Sequence, residues 1–195
     1  MNLELIKELR ARTGAGVSDC NRALDEAKGN IEKAAEILRE KGIAKAVKKS
    51  GRVTNQGIIS SYIHPGSQLG VLVELNCETD FVARTGEFKN LANDIALQIA
   101  ASAPEYVMRE DVPDDIINKE KEIYKKQLLE EGKPEQVIDK IIEGKVETFY
   151  KEHCLIELPF IRNEKIIILD LIKEHIAKFG ENITVRRFVR FKIGE

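Results

Sequence analysis

The chain has 195 residues, 43% of them hydrophobic and 33% charged, with a formal net charge of −2. That length supports one medium domain plus a small companion around a substantial core. The near-neutral charge argues against a general nucleic-acid binder, which needs a basic face for phosphates, and no apolar run approaches the roughly 20 residues that span a bilayer.

Residues 1–42 read as a three-helix module. Leu3, Ile6 and Leu9 form a first apolar stripe with Arg10 beside it, ended by Thr13-Gly14-Ala15-Gly16. Ser18 is placed to cap a second helix facing inward through Ala23, Leu24 and Ala27. Asn30 is placed to cap a third through Ile31, Ala34, Ala35 and Leu38. Residues 43–56 read as a solvated, partly helical tether, because Lys45, Lys48, Lys49 and Arg52 interrupt any apolar face. The same four cations leave a second reading open, a contact to RNA.

From Gly57 the hydrophobic period changes to two. Residues 58–63 and 70–75 flank His64-Pro65-Gly66-Ser67, a hairpin with strong turn chemistry. A short loop, Thr79 to Thr85, then leads into a helix with Phe88, Leu91, Ala92, Ile95 and Ile99 on one face, ending before Pro104. The loop sets Phe81 beside Asp80. Such loops are where a rigid scaffold displays working residues, although a loop Phe also commonly folds back into its own core.

Residues 113–154 read as two charged helices joined by Gly132-Lys133, with narrow stripes suited to a two-helix seam. Gly144 costs about 1 kcal/mol in a helix interior relative to Ala, which suggests close helix approach there. Residues 155–160 read as an extended connection, followed by a helix through Leu169, Ile172, Ile176 and Phe179 that Gly180 closes. Ile183 to Ile193 alternates as a strand, and Arg187 interrupts its apolar face as an edge residue or a partner contact.

The fold class expected is α+β: the N-terminal three-helix module, then a core over 57–195 with a small antiparallel sheet covered by helices and a protruding antiparallel helical hairpin. Cys20, Cys77 and Cys154 make no Cys-x-x-Cys pair and His64, His153 and His175 are scattered, so buried reduced thiols are expected and no metal or cofactor. Phosphate-binding glycine loops are absent too, and no catalytic constellation is evident; an enzyme is not expected. The opening residues Met1-Asn2-Leu3-Glu4 lack the basic and apolar regions of a signal peptide, which makes the cytoplasm the expected location.

Asn76-Cys77-Glu78 followed by Thr79-Asp80-Phe81-Val82-Ala83-Arg84 resembles a signature of the bacterial elongation factor Ts family, the nucleotide-exchange factors of elongation factor Tu. Arg12-Thr13-Gly14-Ala15-Gly16 with Asp19-Cys20, and Phe179-Gly180-Glu181-Asn182-Ile183 with Arg186-Arg187, resemble two more of its signatures, in the right order. With one set of signatures the chain resembles the short form. The resemblance implies that the N-terminal module is of the ubiquitin-associated type and makes a second contact to elongation factor Tu. It implies that Phe81 wedges into the GTPase while Asp80 disturbs its Mg²⁺ site, that Thr79 and Val82 shape the loop, and that Arg84, Arg10 and Val17 make secondary contacts. It also implies a homodimer through the sheet, with no direct nucleic-acid partner. The rival reading is a ribosome- or RNA-associated adaptor using the Lys45–Arg52 run.

Overall fold

The computed structural model describes residues 3–195; the two that open the expected module, 1 and 2, lie outside the described residues. Helices α1 (Leu3–Thr13), α2 (Val17–Glu26) and α3 (Ile31–Val47) precede strands β1 (Gln56–Ile63) and β2 (Leu69–Cys77). A one-turn helix α4 (Asp80–Ala83) leads to α5 (Gly86–Ser102), α6 (Asp114–Glu130) and α7 (Glu135–His153). Then come β3 (Pro159–Phe160), β4 (Asn163–Ile167), α8 (Ile168–Phe179) and β5 (Ile183–Lys192).

Strands β1, β2 and β5 form a three-stranded sheet in the order β1-β2-β5, and β3 pairs with β4 in a second, two-stranded sheet that sequence reading does not anticipate. The His64 backbone N–H donates to the Leu69 carbonyl at 2.9 Å, which closes the β1–β2 hairpin at the expected turn. The Ile193 N–H donates to Gln68 O, and further along Arg187 pairs with Glu74, so β5 runs antiparallel to β2.

The chain folds as two compact units. The first comprises the residues up to Ile58 with Leu75–Lys89 and Asp170–Thr184. Its N-terminal helices bury Ile6, Leu9, Cys20, Ala23, Leu24, Ala27 and Ala34 against one another. Asn30 caps α3 as expected, accepting the Lys33 N–H at 3.0 Å. Ser18 does not cap α2; the helix starts at Val17 behind Gly16, two residues earlier than that cap would place it, with no side-chain cap. α3 also continues through Val47, into the segment read as a tether. Gly42 lies inside it, where a Cβ would come within 3.1 Å of the Ala177 Cβ of α8, so the missing side chain permits close approach of the two helices. At Gly57 a Cβ would lie 2.3 Å from the Leu75 carbonyl oxygen, and only glycine fits there.

The second unit comprises Ile59–Glu74, Asn90–Leu169 and Val185–Glu195. Ser60 on β1 donates to Asn93 on α5 at 2.7 Å, so α5 lies along one face of the sheet. Gln98, fully buried on α5, donates to Pro159 O and accepts the Ile161 N–H at 2.8 Å, binding the helix to the β3 segment. Helices α6 and α7, joined by residues 131–134, share a seam of Ile117, Leu128, Ile138, Ile142, Val146 and Phe149. Arg109 forks onto Glu147 and Glu157 and lies over the Tyr150 ring, which pins the start of this segment. The close approach expected at Gly144 is absent, since nothing would lie within 4 Å of a Cβ there. Its carbonyl instead accepts the Thr148 hydroxyl.

The sheet's other face in this unit is apolar and open. Inward positions Val71 and Val73 are buried, whereas Ile59, Ile63, Leu72, Val189, Phe191 and Ile193 are exposed, Phe191 by 69% and Ile193 by 74%. Val185 points inward while Arg187 pairs outward with Glu74, so the alternation of β5 changes face across Arg186-Arg187. Arg187 thus reaches solvent and pairs with Glu74 there.

Candidate partner-binding loop

The segment between β2 and α5 is not an open loop but a single helical turn, α4. Four residues cannot hold a helix by themselves, since nucleation fixes several dihedrals for one hydrogen bond. Its anchors are therefore external. Thr79 is the N-cap in extended geometry, its hydroxyl accepting the Val82 N–H. Ala83 turns inward and is buried. Thr85 closes the far side, donating to Val82 O at 2.8 Å and accepting the Phe88 N–H of α5. Phe88 packs edge-on against Phe179.

The turn is gripped from below by the segment after α8. Gly180 stops that helix at φ +76°, a left-handed conformation suited to glycine, and its carbonyl accepts Lys49 Nζ. The next residue, Glu181, accepts two hydrogen bonds from Thr79, from the backbone N–H at 3.0 Å and from the hydroxyl at 2.6 Å. Asn182 is 2% exposed, and its amide donates to the carbonyls of Ser50 and Arg52. The carboxylate of Glu78 accepts the Asn182 N–H at 2.6 Å and faces Arg52. Below the turn the Cys77 thiol is buried and donates to Thr79 O. Burial, and secondly the Glu181 charge, push its pKa up to about 11.

On this base Phe81 is 79% exposed. It does not fold back into the core. Asp80 is partly exposed and pairs with Arg84 one turn on, at 2.8 Å, and Val82 is half-buried. The structure thus brings Thr79, Asp80, Phe81, Val82 and Arg84 together on one turn. Arg10 lies on α1 and Val17 opens α2; both are exposed, Val17 by 52%. The sequence alone assigns no role to Glu78, Glu181 or Asn182, although all three lie within the quoted motifs. The signal for them is the pairing of one motif with another 102 residues away.

The cations of the Lys45–Arg52 run are mostly engaged inside the unit, Lys45 with Asp19, Lys49 with Gly180 O and Arg52 with Glu78. Among the described residues no group of three His, Cys, Asp or Glu side chains is placed to hold a metal, and no helix is long and apolar enough to cross a membrane. All three cysteines are free and buried.

Comparison with known proteins places these features in a family context. The family model described as "Elongation factor TS" matches residues 17–195, which includes Val17 and the whole turn but not Arg10. A Carboxydothermus hydrogenoformans protein named "Elongation factor Ts" is 60% identical over 192 residues, 98% of this chain and 88% of that protein. A Syntrophomonas wolfei protein of the same name is 62% identical over 192 residues, 98% of this chain and 90% of the relative. One from Fervidobacterium nodosum is 59% identical over 195 residues, covering 100% of this chain and 99% of the relative.

Proposed function

Because the chain belongs to the elongation factor Ts family, we propose that it is a translation elongation factor that binds elongation factor Tu carrying GDP and promotes exchange of GDP for GTP. The single observation that carries the mechanistic part is the display of Phe81, a large aromatic 79% exposed on a turn that several polar contacts hold in place. An apolar ring kept in water by a rigid base is suited to a cavity on a partner.

Exchange makes and breaks no covalent bond, so the factor acts as a binding protein and not as an enzyme. It is negative coupling between two ligands of one GTPase: the factor weakens nucleotide, and nucleotide weakens the factor by the same amount. In this reading Phe81 enters between elements of the GTPase. Asp80, released from Arg84, disturbs the partner's Mg²⁺ site, and loss of the metal removes charge that holds the phosphates. Burying one Phe contributes about 1.5–3 kcal/mol, and about 1.4 kcal/mol is tenfold in an equilibrium constant. One wedge therefore supplies one to two decades of coupling. The exposed Arg84, Arg10 and Val17 would add contacts around it.

The open apolar sheet face supports pairing of two copies. Face-to-face sheets pack about 10 Å apart with interdigitated side chains, and a two-fold axis makes one patch complementary to itself. Ile59, Ile63, Leu72, Val189, Phe191 and Ile193 supply such a patch. A dimer would carry two Phe81 turns. A cytoplasmic site of action belongs to the same proposal, with no membrane and no direct nucleic-acid partner.

The test is co-elution with purified elongation factor Tu on size exclusion, with and without GDP. A complex that forms without nucleotide and is dissociated by added GDP supports the reading. Absence of any complex without GDP, or a complex indifferent to it, would refute it.

A further inference from the structure

We propose that Glu181 is a positioning residue for exchange: its carboxylate sets the Thr79 cap and thereby holds the turn that presents Phe81. The proposal rests on the exchange reading above, but its geometry stands apart from it.

A threonine hydroxyl has one proton and two acceptor lone pairs. Here the proton goes to Glu181 Oε1 at 2.6 Å, which leaves a lone pair aimed at the Val82 N–H. The cap on α4 is therefore oriented from the far side of the hydroxyl. The second carboxylate oxygen takes the Thr79 N–H at 3.0 Å and fixes the backbone at the point where β2 gives way to the turn. Both bonds end on a carboxylate, and such bonds are shorter and stronger than neutral ones. Glu181 is itself held, between the Gly180 helix stop and Asn182, whose backbone N–H is taken by Glu78. Each glutamate thus captures the backbone N–H of the residue that follows the other. The bonds of Glu181 go to Thr79 and not to Phe81; it acts through Thr79.

If the turn is not preset, only a fraction of molecules present Phe81 correctly, and apparent affinity falls by that fraction. Once the complex forms, the partner holds the turn. The expected defect is therefore in the concentration needed and not in the rate at saturation.

The experiment uses the full chain as wild type, Glu181→Ala, Glu181→Gln and Phe81→Ala. It reads amide hydrogen exchange on the free protein and release of labelled GDP from elongation factor Tu across a titration. For Glu181→Ala, amides of 79–84 should exchange at least about fivefold faster while those of Ile95 and Ile99 stay unchanged. The half-maximal concentration should rise about fivefold, with the saturated rate within about twofold of wild type. Glu181→Gln keeps one acceptor and should fall between wild type and Glu181→Ala. Unchanged amides at 79–84, uniformly faster exchange throughout, or a defect confined to the saturated rate would overturn the positioning role. Phe81→Ala separates the two claims. If it leaves GDP release unchanged, the wedge reading fails while the amide result still decides the positioning. If it slows release and Glu181→Ala changes nothing, only the positioning fails.

Discussion

Glu78 and Asn182, 104 residues apart in sequence, are joined by a hydrogen bond of 2.6 Å from the Asn182 backbone N–H to the Glu78 carboxylate. The Asn182 side chain extends the same connection to Ser50 and Arg52. Three distant segments meet at one buried residue beneath the exposed Phe81 turn.

The first prediction concerns its side-chain amide. Asn182→Ala removes two hydrogen bonds from a buried side chain to the Ser50 and Arg52 carbonyls, which together cost about 1–3 kcal/mol. Arg187→Ala breaks only the exposed pair with Glu74 and should cost less than about 1 kcal/mol. Urea titrations of the two variants side by side check the order, and an equal or reversed shift in midpoint would contradict it.

The cysteines give a second prediction. Burial raises the thiol pKa of Cys77 from its ordinary 9.0 to about 11, and that of Cys154 likewise. A raised folded-state pKa means the native chain holds the proton longer than the unfolded chain. The stability this contributes is complete below about 9 and is lost as pH climbs through about 11. The thiols should resist a disulfide reagent at pH 8 in the native state and all three should react in denaturant, while the melting temperature falls between pH 9 and 11. Rapid native reaction of Cys77 or Cys154 at pH 8 would contradict this.

Much of the fold is legible in the sequence because it is local. Asn30 caps α3, the turn at residues 64–67 closes the hairpin, and Gly180 stops α8, each through its own backbone chemistry. What escaped reading is long-range. The extension of α3 past Gly42 depends on α8 standing 3.1 Å from where a Cβ would be, and no local propensity reports that neighbour. The exposure of Phe81 is implied by the family resemblance and not by periodicity. An apolar ring in a four-residue turn looks the same in sequence whether it turns in or out. Thr79 was legible as a shaper of the loop, but its partner Glu181 became visible only when the fold brought two motifs together.

A third prediction addresses assembly. The exposed face of Ile59, Leu72 and Phe191 should pair two copies, giving a sedimenting mass about twice the 22.0 kDa of one chain at micromolar concentration. Phe191→Lys places a charge in that face and should yield monomers that remain folded. A wild-type monomer with full exchange activity would remove the dimer from the account.

A fourth separates the acidic neighbour from the ring. Asp80 pairs with Arg84 on the exposed turn, so Asp80→Ala should alter stability by less than about 0.5 kcal/mol. GDP release should slow, and lowering free Mg²⁺ should restore part of the rate if Asp80 acts through the partner's metal site. Slowing that is indifferent to Mg²⁺ would assign Asp80 to contact alone.

The most direct test of the central claim is GDP release from elongation factor Tu stimulated by Phe81→Ala at a fixed subsaturating concentration. Because the ring is 79% exposed, its removal should leave stability nearly unchanged, whereas a core Phe cut to Ala costs about 3–5 kcal/mol. Buried aromatic anchors at interfaces often carry about 2 kcal/mol or more, so release should slow on the order of tenfold or more. A large stability loss would make Phe81 structural, and unchanged stability with unchanged GDP release would contradict the wedge outright.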